Sequence, residues 1–386
     1  MSDPLSAGVA WLSGQAAPMA HLLELLVRQN SFTRNPQGVN AVADLVAAEL
    51  ARLGLAVERI PGARFGDHLA FAGPAAGAPA FLVGHLDTVF PPGQFEGWES
   101  DGRVARGPGV FDMKGGAVVM LFGLAALGEA GLLGRVAVRG MLVSDEEVGS
   151  PESQPLLRAR AAGAACALVL ESGREGDRIV TARKGVAAVR AEASGVAAHA
   201  GNDHARGRNA VWALCRFVDR AQGLTDHGRG LTVNVGVFQG GTTKNTVPDR
   251  AYAEVDLRFA TPADGERLEA ALAQAAAEAA LPGTRIEVAR SAWRDPMVRT
   301  EASAALAARY GACQRQAGLG DGEAPPAGGG SDACTTSAAG IPSIDGLGPR
   351  GSGYHTREER IELASLVPKA EALFRFLASQ AGPASR

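Results

Sequence analysis

Three apolar runs in this chain end in side chains able to bind metal or move protons. Ala80-Phe81-Leu82-Val83-Gly84 leads into His85-Leu86-Asp87, and the run from Val136 to Val143 leads into Ser144-Asp145-Glu146-Glu147. Ala167-Leu168-Val169-Leu170 leads into Glu171. In an open α/β sheet the carboxyl ends of the strands face one crevice, where ligands bind. Ionisable groups crowded at one edge are costly unless cations neutralise them. A pair of divalent metal ions is the simplest neutraliser, which makes this the pattern of a metallohydrolase.

Each motif has its own chemistry. His85 and Asp87 are two residues apart, so on a strand they share a face, and Asp87 can orient the His85 imidazole from behind. Glu146 and Glu147, read as neighbours on a strand end, point to opposite faces, leaving one to bind metal and the other to act as a base. The stretch Gly107-Pro108-Gly109-Val110-Phe111-Asp112-Met113-Lys114-Gly115-Gly116 is a glycine-rich turn into a helix. Asp112 at its start suits an N-cap as well as a ligand. Neither Walker spacing nor GxGxxG is present, so no phosphate cradle is indicated. Among seven histidines, His199 (within Gly195-Val196-Ala197-Ala198-His199-Ala200-Gly201) and His355 (after Gly351-Ser352-Gly353-Tyr354) have small neighbours, which suits close approach to a ligand. His21, His68, His204 and His227 belong to no motif and read as core or surface residues.

The elements that would position these groups alternate between strand and helix. Helical periodicity marks Met19–Arg28 and Val39–Leu53, Lys114–Leu127 is apolar and of helical length and is expected to pack across the sheet, and strands fall at Ala56–Ile60 and His68–Phe71. That alternation predicts a largely parallel sheet. The middle third runs strand (Val186–Ser194), helix (Gly207–Ala221), strand (Leu231–Phe238), strand (Ala251–Phe259), helix (Asp264–Ala280), strand (Arg285–Ala289). This βαββαβ order is a ferredoxin-like α+β unit. Helix and strand patterns resume at Ser303–Ala317, Pro342–Asp345 and Leu363–Leu377. The expected architecture is an α/β catalytic domain over residues 1–184 and 296–386, interrupted by an inserted domain over 185–295.

Composition limits the alternatives. A net charge of -3, a pI near 6.2 and 5% aromatic residues give no electrostatic or stacking case for nucleic acid or an anionic membrane surface. Cys166, Cys215, Cys313 and Cys334 form no CxxC pair and read as core thiols. The start of the chain lacks a basic signal region, and no apolar run is expected to approach membrane-spanning length, so a cytoplasmic location is expected. Lysine occurs only at Lys114, Lys184, Lys244 and Lys369, a bias toward arginine that reads as base composition.

Taken in order, HLDTVF, GPGVFDMKGG, SDEEVGS, LES, AAHAG, GGGSD and GYH resemble one family over nearly the whole chain. It is that of the zinc-dependent exopeptidases and deacylases, which includes aminoacylase, acetylornithine deacetylase, succinyl-diaminopimelate desuccinylase and glutamate carboxypeptidase. The motifs lie closest to the glutamate carboxypeptidase branch. The resemblance implies two Zn²⁺ per subunit, with Co²⁺ or Mn²⁺ as possible substitutes. His85 and Glu171 would hold one ion, Glu147 and His355 the other, and Asp112 would bridge them. Glu146 would be the general base, with Asp87 counted among the catalytic residues for its hold on the His85 imidazole. The resemblance also implies a homodimer formed through the inserted domain, with His199 reaching the partner's site to bind the oxyanion. Arg258, in Asp256-Leu257-Arg258, would grip the substrate carboxylate, and Asn245 would contact the substrate.

The leading expectation is cleavage of an amide bond next to a free carboxylate in a small peptide. The rival with the same site is deacylation of an N-acyl amino acid. A non-catalytic binding protein on this fold would not need Glu146, and a barrel-type binuclear amidohydrolase would need the HxH motif that is absent here.

Overall fold

Ala80–His85, Val138–Val143 and Cys166–Val169, the three apolar runs, lie side by side as parallel strands, with Ala80–His85 in the middle. The computed structural model describes residues 3–382. Their sheet has six strands in the order Ala56–Ile60, His68–Ala72, Val138–Val143, Ala80–His85, Cys166–Val169, Ser343–Ile344. The first two pairings, on either side of His68–Ala72, are antiparallel and the remaining three parallel. Every residue of Ala80–His85 and Cys166–Val169 is buried. That is why these strands read as continuous apolar runs rather than alternating ones: a parallel sheet is covered on both faces.

Helix Gly115–Glu129 lies in the core of this unit, with twelve of its residues buried, and Leu366–Ala378 packs along it. Here the sequence reading needs correction. The 20-residue stretch Val110–Glu129, with mean hydropathy 1.7, is long and apolar enough to cross a membrane, but 94% of its most apolar window is buried inside the protein. A helix apolar all round is one surrounded by protein or by lipid, and here protein surrounds it. A second, small sheet went unread: Gly351–Ser352, Arg360–Glu362, Val104–Arg106 and Glu99–Ser100 pair in that order. It forms the hairpin whose loop carries His355. Helices Pro4–Ser13, Ser153–Ala161 and Asp332–Ala338 were also missed.

The chain divides into two compact units. One comprises the residues up to Ala182, Arg299–Pro326 and the segment from Ser331 onward; the other comprises Arg183–Val298 and Ala327–Gly330. The short stretch 327–330, expected with the catalytic part, groups with the second unit. Lys184 N donates to Ala327 O at 2.9 Å, and Arg183 Nη1 donates to Gly329 O at 3.1 Å. Arg183 also pairs with Met297, so this unit extends slightly past both ends of the 185–295 segment.

The second unit has the βαββαβ order: Gly185–Ser194, helix Ala210–Gln222, Thr232–Gly240, Arg250–Phe259, helix Pro262–Ala279, Arg285–Arg294. Its antiparallel sheet runs Thr232–Gly240, Arg250–Phe259, Gly185–Ser194, Arg285–Arg294. Alternate residues Ala187, Val189, Ala191 and Ala193, with Ala251 through Phe259 on the next strand, are buried against the two helices. The other face is charged and open, carrying Arg190, Glu192, Glu254, Asp256 and Arg258. This period-2 burial is the signature of an antiparallel sheet covered on one side.

Candidate active site

The strands end earlier than the sequence reading assumed. Ala80–His85 stops at His85, leaving Asp87 beyond it, and Val138–Val143 stops before the acidic residues. Glu146 and Glu147 lie on a short 3-10 turn, Glu146–Val148, so strand alternation does not separate their roles. Asp112 is in an irregular turn, Val110–Lys114, with φ -118° and ψ 92°, and does not cap helix Gly115–Glu129. Asp145 belongs to the scaffold: its carboxylate accepts from Glu152 N at 2.7 Å and Ser153 N at 3.2 Å, capping the start of helix Ser153–Ala161.

Within the first unit the remaining predicted ligands converge. Asp112 sits between two imidazoles: His85 Nε2 is 3.3 Å from its Oδ1 and His355 Nε2 is 3.4 Å from its Oδ2. His355 Nε2 is 3.1 Å from Glu147 Oε2, and His85 Nε2 is 3.8 Å from Glu171 Oε1. Donor atoms of His85, Glu146 and Glu171 lie within 4.8 Å of one another, as do those of His85, Asp112 and Glu147. The two groups have His85 in common, while the Asp112 carboxylate is the group placed between the two imidazoles. Both His85 and Glu171 are buried. His355 adopts φ 62°, a left-handed conformation costing about 1–3 kcal/mol that persists where surrounding structure imposes it.

Supports surround the ligands. His85 Nδ1 donates to Asp87 O at 3.0 Å, which fixes the ring orientation and turns Nε2 toward the cluster. The Asp87 carboxylate is 3.4 Å from that nitrogen; its closer partner is Thr33 Oγ1, at 2.7 Å, and it also accepts from Glu146 N and Glu147 N at 3.3 Å each. So the backbone of Asp87 orients the histidine while its side chain holds the acidic turn. Gly116 lets the core helix start against the strand end carrying Glu171: a Cβ there would sit 1.9 Å from Leu170 O.

The protonation pattern is that of a site built for cations. Burial and the charges of Asp112 and Glu146 push the Glu147 carboxyl up to about 8, although His355 opposes this. Burial and Asp112 likewise hold Glu171 well above the usual carboxylate range. Hydrogen bonds to Asp112 and Glu147 raise His355 to about 10. Burial alone would lower His85, but Asp112, Asp87 and Glu171 raise it well above its ordinary value. Burial would raise Asp112 too, yet the two imidazoles depress it. Protons therefore occupy positions that a metal ion takes when ligands must be deprotonated. Glu147 Oε1 is buried without any hydrogen-bond partner, an orphan that costs free energy unless a ligand satisfies it. Imidazole and carboxylate donors with no thiolate suit zinc, and the residues fit the group.

In the second unit His199 and Asn245 come together. His199 pairs with Thr246 across a short two-strand ladder, and Ala200 N donates to Asn245 O at 2.9 Å. Arg258 is elsewhere, opposite Val186 and Thr232. Eight residues of strand separate it from Arg250, about 26 Å at 3.3 Å each, and His199 lies beyond the Arg250 end. Arg258 pairs bidentately with Asp256, Nε to Oδ1 at 2.8 Å and Nη2 to Oδ2 at 2.9 Å.

A two-unit α/β hydrolase with a carboxylate and imidazole metal cluster is the class that fold and site define. Over residues 81–379 the chain matches peptidase family M20/M25/M40, and it belongs to that family of metal-dependent exopeptidases and amidohydrolases. It is 30% identical over 353 residues to carboxypeptidase G2 of Pseudomonas sp. (strain RS-16), covering 90% of this chain and 85% of that one. It is 28% identical over 374 residues to succinyl-diaminopimelate desuccinylase of Bordetella parapertussis, covering 92% and 95%. Among solved structures, aminopeptidase PepT from Bacillus cereus superposes with a TM-score of 0.81 at 22% identity, over 95% of this chain and 98% of that one. The metallo-carboxypeptidase Sso-CP2 from Sulfolobus solfataricus superposes with a TM-score of 0.75 at 18% identity, over 94% and 99%.

Sequence reasoning missed three supports: Thr33, Glu359 and Lys114. Lys114 is buried with Nζ donating to Gln29 O at 2.9 Å; burial lowers it to about 7 against the raising charge of Glu359. A signal for Lys114 existed in the scarcity of lysine, but Thr33 and Glu359 act through neighbours that no motif announces.

Proposed function

We propose that the protein is a two-metal hydrolase that cleaves an amide bond adjacent to a free carboxylate. The observation that carries this is Asp112 shared between His85 and His355, which divides the ligands into two sets. Charge supports two ions rather than one: once deprotonated to bind metal, Asp112, Glu147, Glu171 and Glu146 would carry four negative charges, which two dications would balance and one would leave half uncompensated. When bound, the metals supply Lewis-acid polarisation of the scissile carbonyl and a water of lowered pKa. His85 and Glu171 would hold one ion and Glu147 and His355 the other. Glu146, beside this cluster, takes the water's proton and passes it to the departing amine nitrogen. Zinc is the expected metal, with cobalt or manganese able to replace it.

The second unit supports a role in trans. His199 Nδ1 accepts from Gly201 N at 3.2 Å and Asn202 N at 3.0 Å. The proton is therefore on Nε2, which makes no hydrogen bond among the described residues and is free to donate to an oxyanion. His199 lies on the short ladder with Thr246, and Arg258 at the far end of strand Arg250–Phe259, about 26 Å from Arg250; a homodimer can bring one of them from each chain to a small substrate. Strand Thr232–Gly240 is a sheet edge, and near it Phe238 and Trp212 are 41% and 60% exposed. An open edge beside exposed aromatic residues suits pairing with a second copy.

The test is a panel of dipeptides and N-acyl amino acids offered to zinc-loaded protein, with Glu146→Gln alongside. The expected result is turnover of substrates carrying a free α-carboxylate, lost by several orders of magnitude in Glu146→Gln while metal content is unchanged. Turnover surviving in Glu146→Gln would exclude it as the base. Preference for N-acyl amino acids over dipeptides would favour the deacylase reading.

A further inference from the structure

The shared carboxylate of Asp112 comes from a turn that cannot hold itself. Residues 110–114 depart from helical geometry at Asp112 and Met113, and an irregular buried turn leaves backbone N–H groups without ladder partners. One side chain supplies the acceptors. Glu359 Oε1 accepts from Phe111 N at 2.8 Å and Asp112 N at 2.9 Å, and its Oε2 accepts from Gly109 N at 3.0 Å. Its own carbonyl accepts from Gly107 N at 3.4 Å. Glu359 has 0% exposure, which excludes the reading of a solvated acidic residue in a charged run. It is also four residues beyond His355, in the same hairpin loop between Gly351–Ser352 and Arg360–Glu362.

We infer that Glu359 is a positioning residue that locks the Asp112 turn to the His355 hairpin, so that one carboxylate meets both imidazoles before any metal arrives. This rests on reading Asp112 and His355 as ligands. The Asp112 carboxylate must present Oδ1 to one side and Oδ2 to the other, so its backbone must be held at more than one point. Three N–H bonds to a single carboxylate, flanking and including the Asp112 amide, do this. A carboxylate is the suitable acceptor because charge-assisted bonds are roughly twice as strong as neutral ones. Glu359 contributes no ligand atom and moves no proton in this role; it acts through Asp112.

The inference is tested by titrating Zn²⁺ and Co²⁺ into the metal-free full chain for wild type, Glu359→Gln and Leu306→Ala. Leu306→Ala is a core change on helix Glu301–Gln316 that lowers stability without touching the turn. Outer supports of metal ligands are worth about 10–100-fold in affinity. Glu359→Gln should lose that factor for at least one ion per chain and alter the Co²⁺ absorption spectrum. Leu306→Ala should melt earlier but titrate like wild type. Superimposable titrations for Glu359→Gln and wild type would overturn the inference, as would equal affinity losses in the two variants at matched stability. A measurement on wild type alone guards against a variant that does not fold. Amide exchange over residues 107–114 should already be slow in metal-free protein; fast exchange that slows only on metal addition would mean that the metal, not Glu359, orders the turn. If wild type binds metal and hydrolyses its substrates while Glu359→Gln matches it, only this inference falls. If wild type binds no divalent metal, the reading of the site falls first.

Discussion

Replacing Asp87 by asparagine separates its side chain's hold on the acidic turn from the support of His85 that the sequence assigned to it. The carboxylate is buried and accepts from Thr33 Oγ1, Glu146 N and Glu147 N. A hydrogen bond to a charged acceptor contributes about 1.5–3 kcal/mol and a neutral one about 0.5–1.5, so neutralising Asp87 weakens each bond by about 1 kcal/mol. Two of the three hold the turn that carries Glu146, which makes about 2 kcal/mol of lost placement, or about 30-fold in kcat at 1.36 kcal/mol per decade. His85 is insulated from the change, because its Nδ1 donates to the Asp87 backbone oxygen at 3.0 Å, whereas the carboxylate is 3.4 Å away. Asp87→Asn should therefore lose about 30-fold in kcat at saturating zinc, with metal affinity falling less than about tenfold, below the 10–100-fold usual for such supports. Steady-state kinetics at fixed free zinc and a chelator-competition titration measure the two quantities. The opposite split, with affinity falling more than 100-fold and kcat restored by excess zinc, would refute the reasoning.

Other expectations are as direct. Asp177→Asn should cost about 2 kcal/mol at pH 7, because Arg350, Lys369 and Gly320 N hold the buried Asp177 carboxyl at about 2 against its ordinary 3.8. A depressed carboxyl stabilises above its unfolded value and loses that contribution as pH falls toward the folded one. In urea titrations the wild-type advantage should therefore hold from pH 7 to about 4 and shrink below that; a constant gap at lower pH would contradict the pairing. Gly116→Ala forces a Cβ to 1.9 Å from Leu170 O, and overpacking of this kind costs about 1–3 kcal/mol. It should lower the melting temperature and weaken metal binding by displacing Glu171, and unchanged metal affinity would count against the coupling. Arg258→Ala should raise KM about 10–100-fold for substrates with a free carboxylate, as expected from losing a bidentate charged contact of about 1.5–3 kcal/mol. An equal effect on esterified substrates would sink that role.

The candidate ligands that the structure brings together were legible in the sequence because they sit where strong local patterns end. Apolar runs locate buried parallel strands, and His85, Glu147 and Glu171 follow them within a few residues. The βαββαβ order of the second unit was legible for the same reason, through alternating burial in Gly185–Ser194 and Arg250–Phe259. What could not be read was local geometry at strand ends. Nothing in Asp145-Glu146-Glu147 distinguishes a strand end from a 3-10 turn, and the rule of opposite faces failed there. The small sheet around Gly351–Ser352 was equally invisible, since strands of two or three residues are too short to carry a period.

The supports escaped for a different reason: they act on backbone groups, which every residue possesses and no motif marks. Glu359 meets three amides and Asp87 meets two. One compositional trace does survive. Of 38 basic residues only four are lysines, and two of those, Lys114 and Lys369, are buried at 2% and 1% exposure. Lys369 is 3.2 Å from the buried Asp177, and Lys114 lies in the field of Glu359. In a chain that elsewhere uses arginine, a buried lysine marks a place where the guanidinium does not serve. Arginine is planar, presents five donors and does not give up its proton, whereas an ammonium is compact and can satisfy a single carbonyl such as Gln29 O. The arginine bias that reads as base composition is thus informative at its buried exceptions, Lys114 at the end of the Asp112 turn and Lys369 on the Asp177 carboxylate.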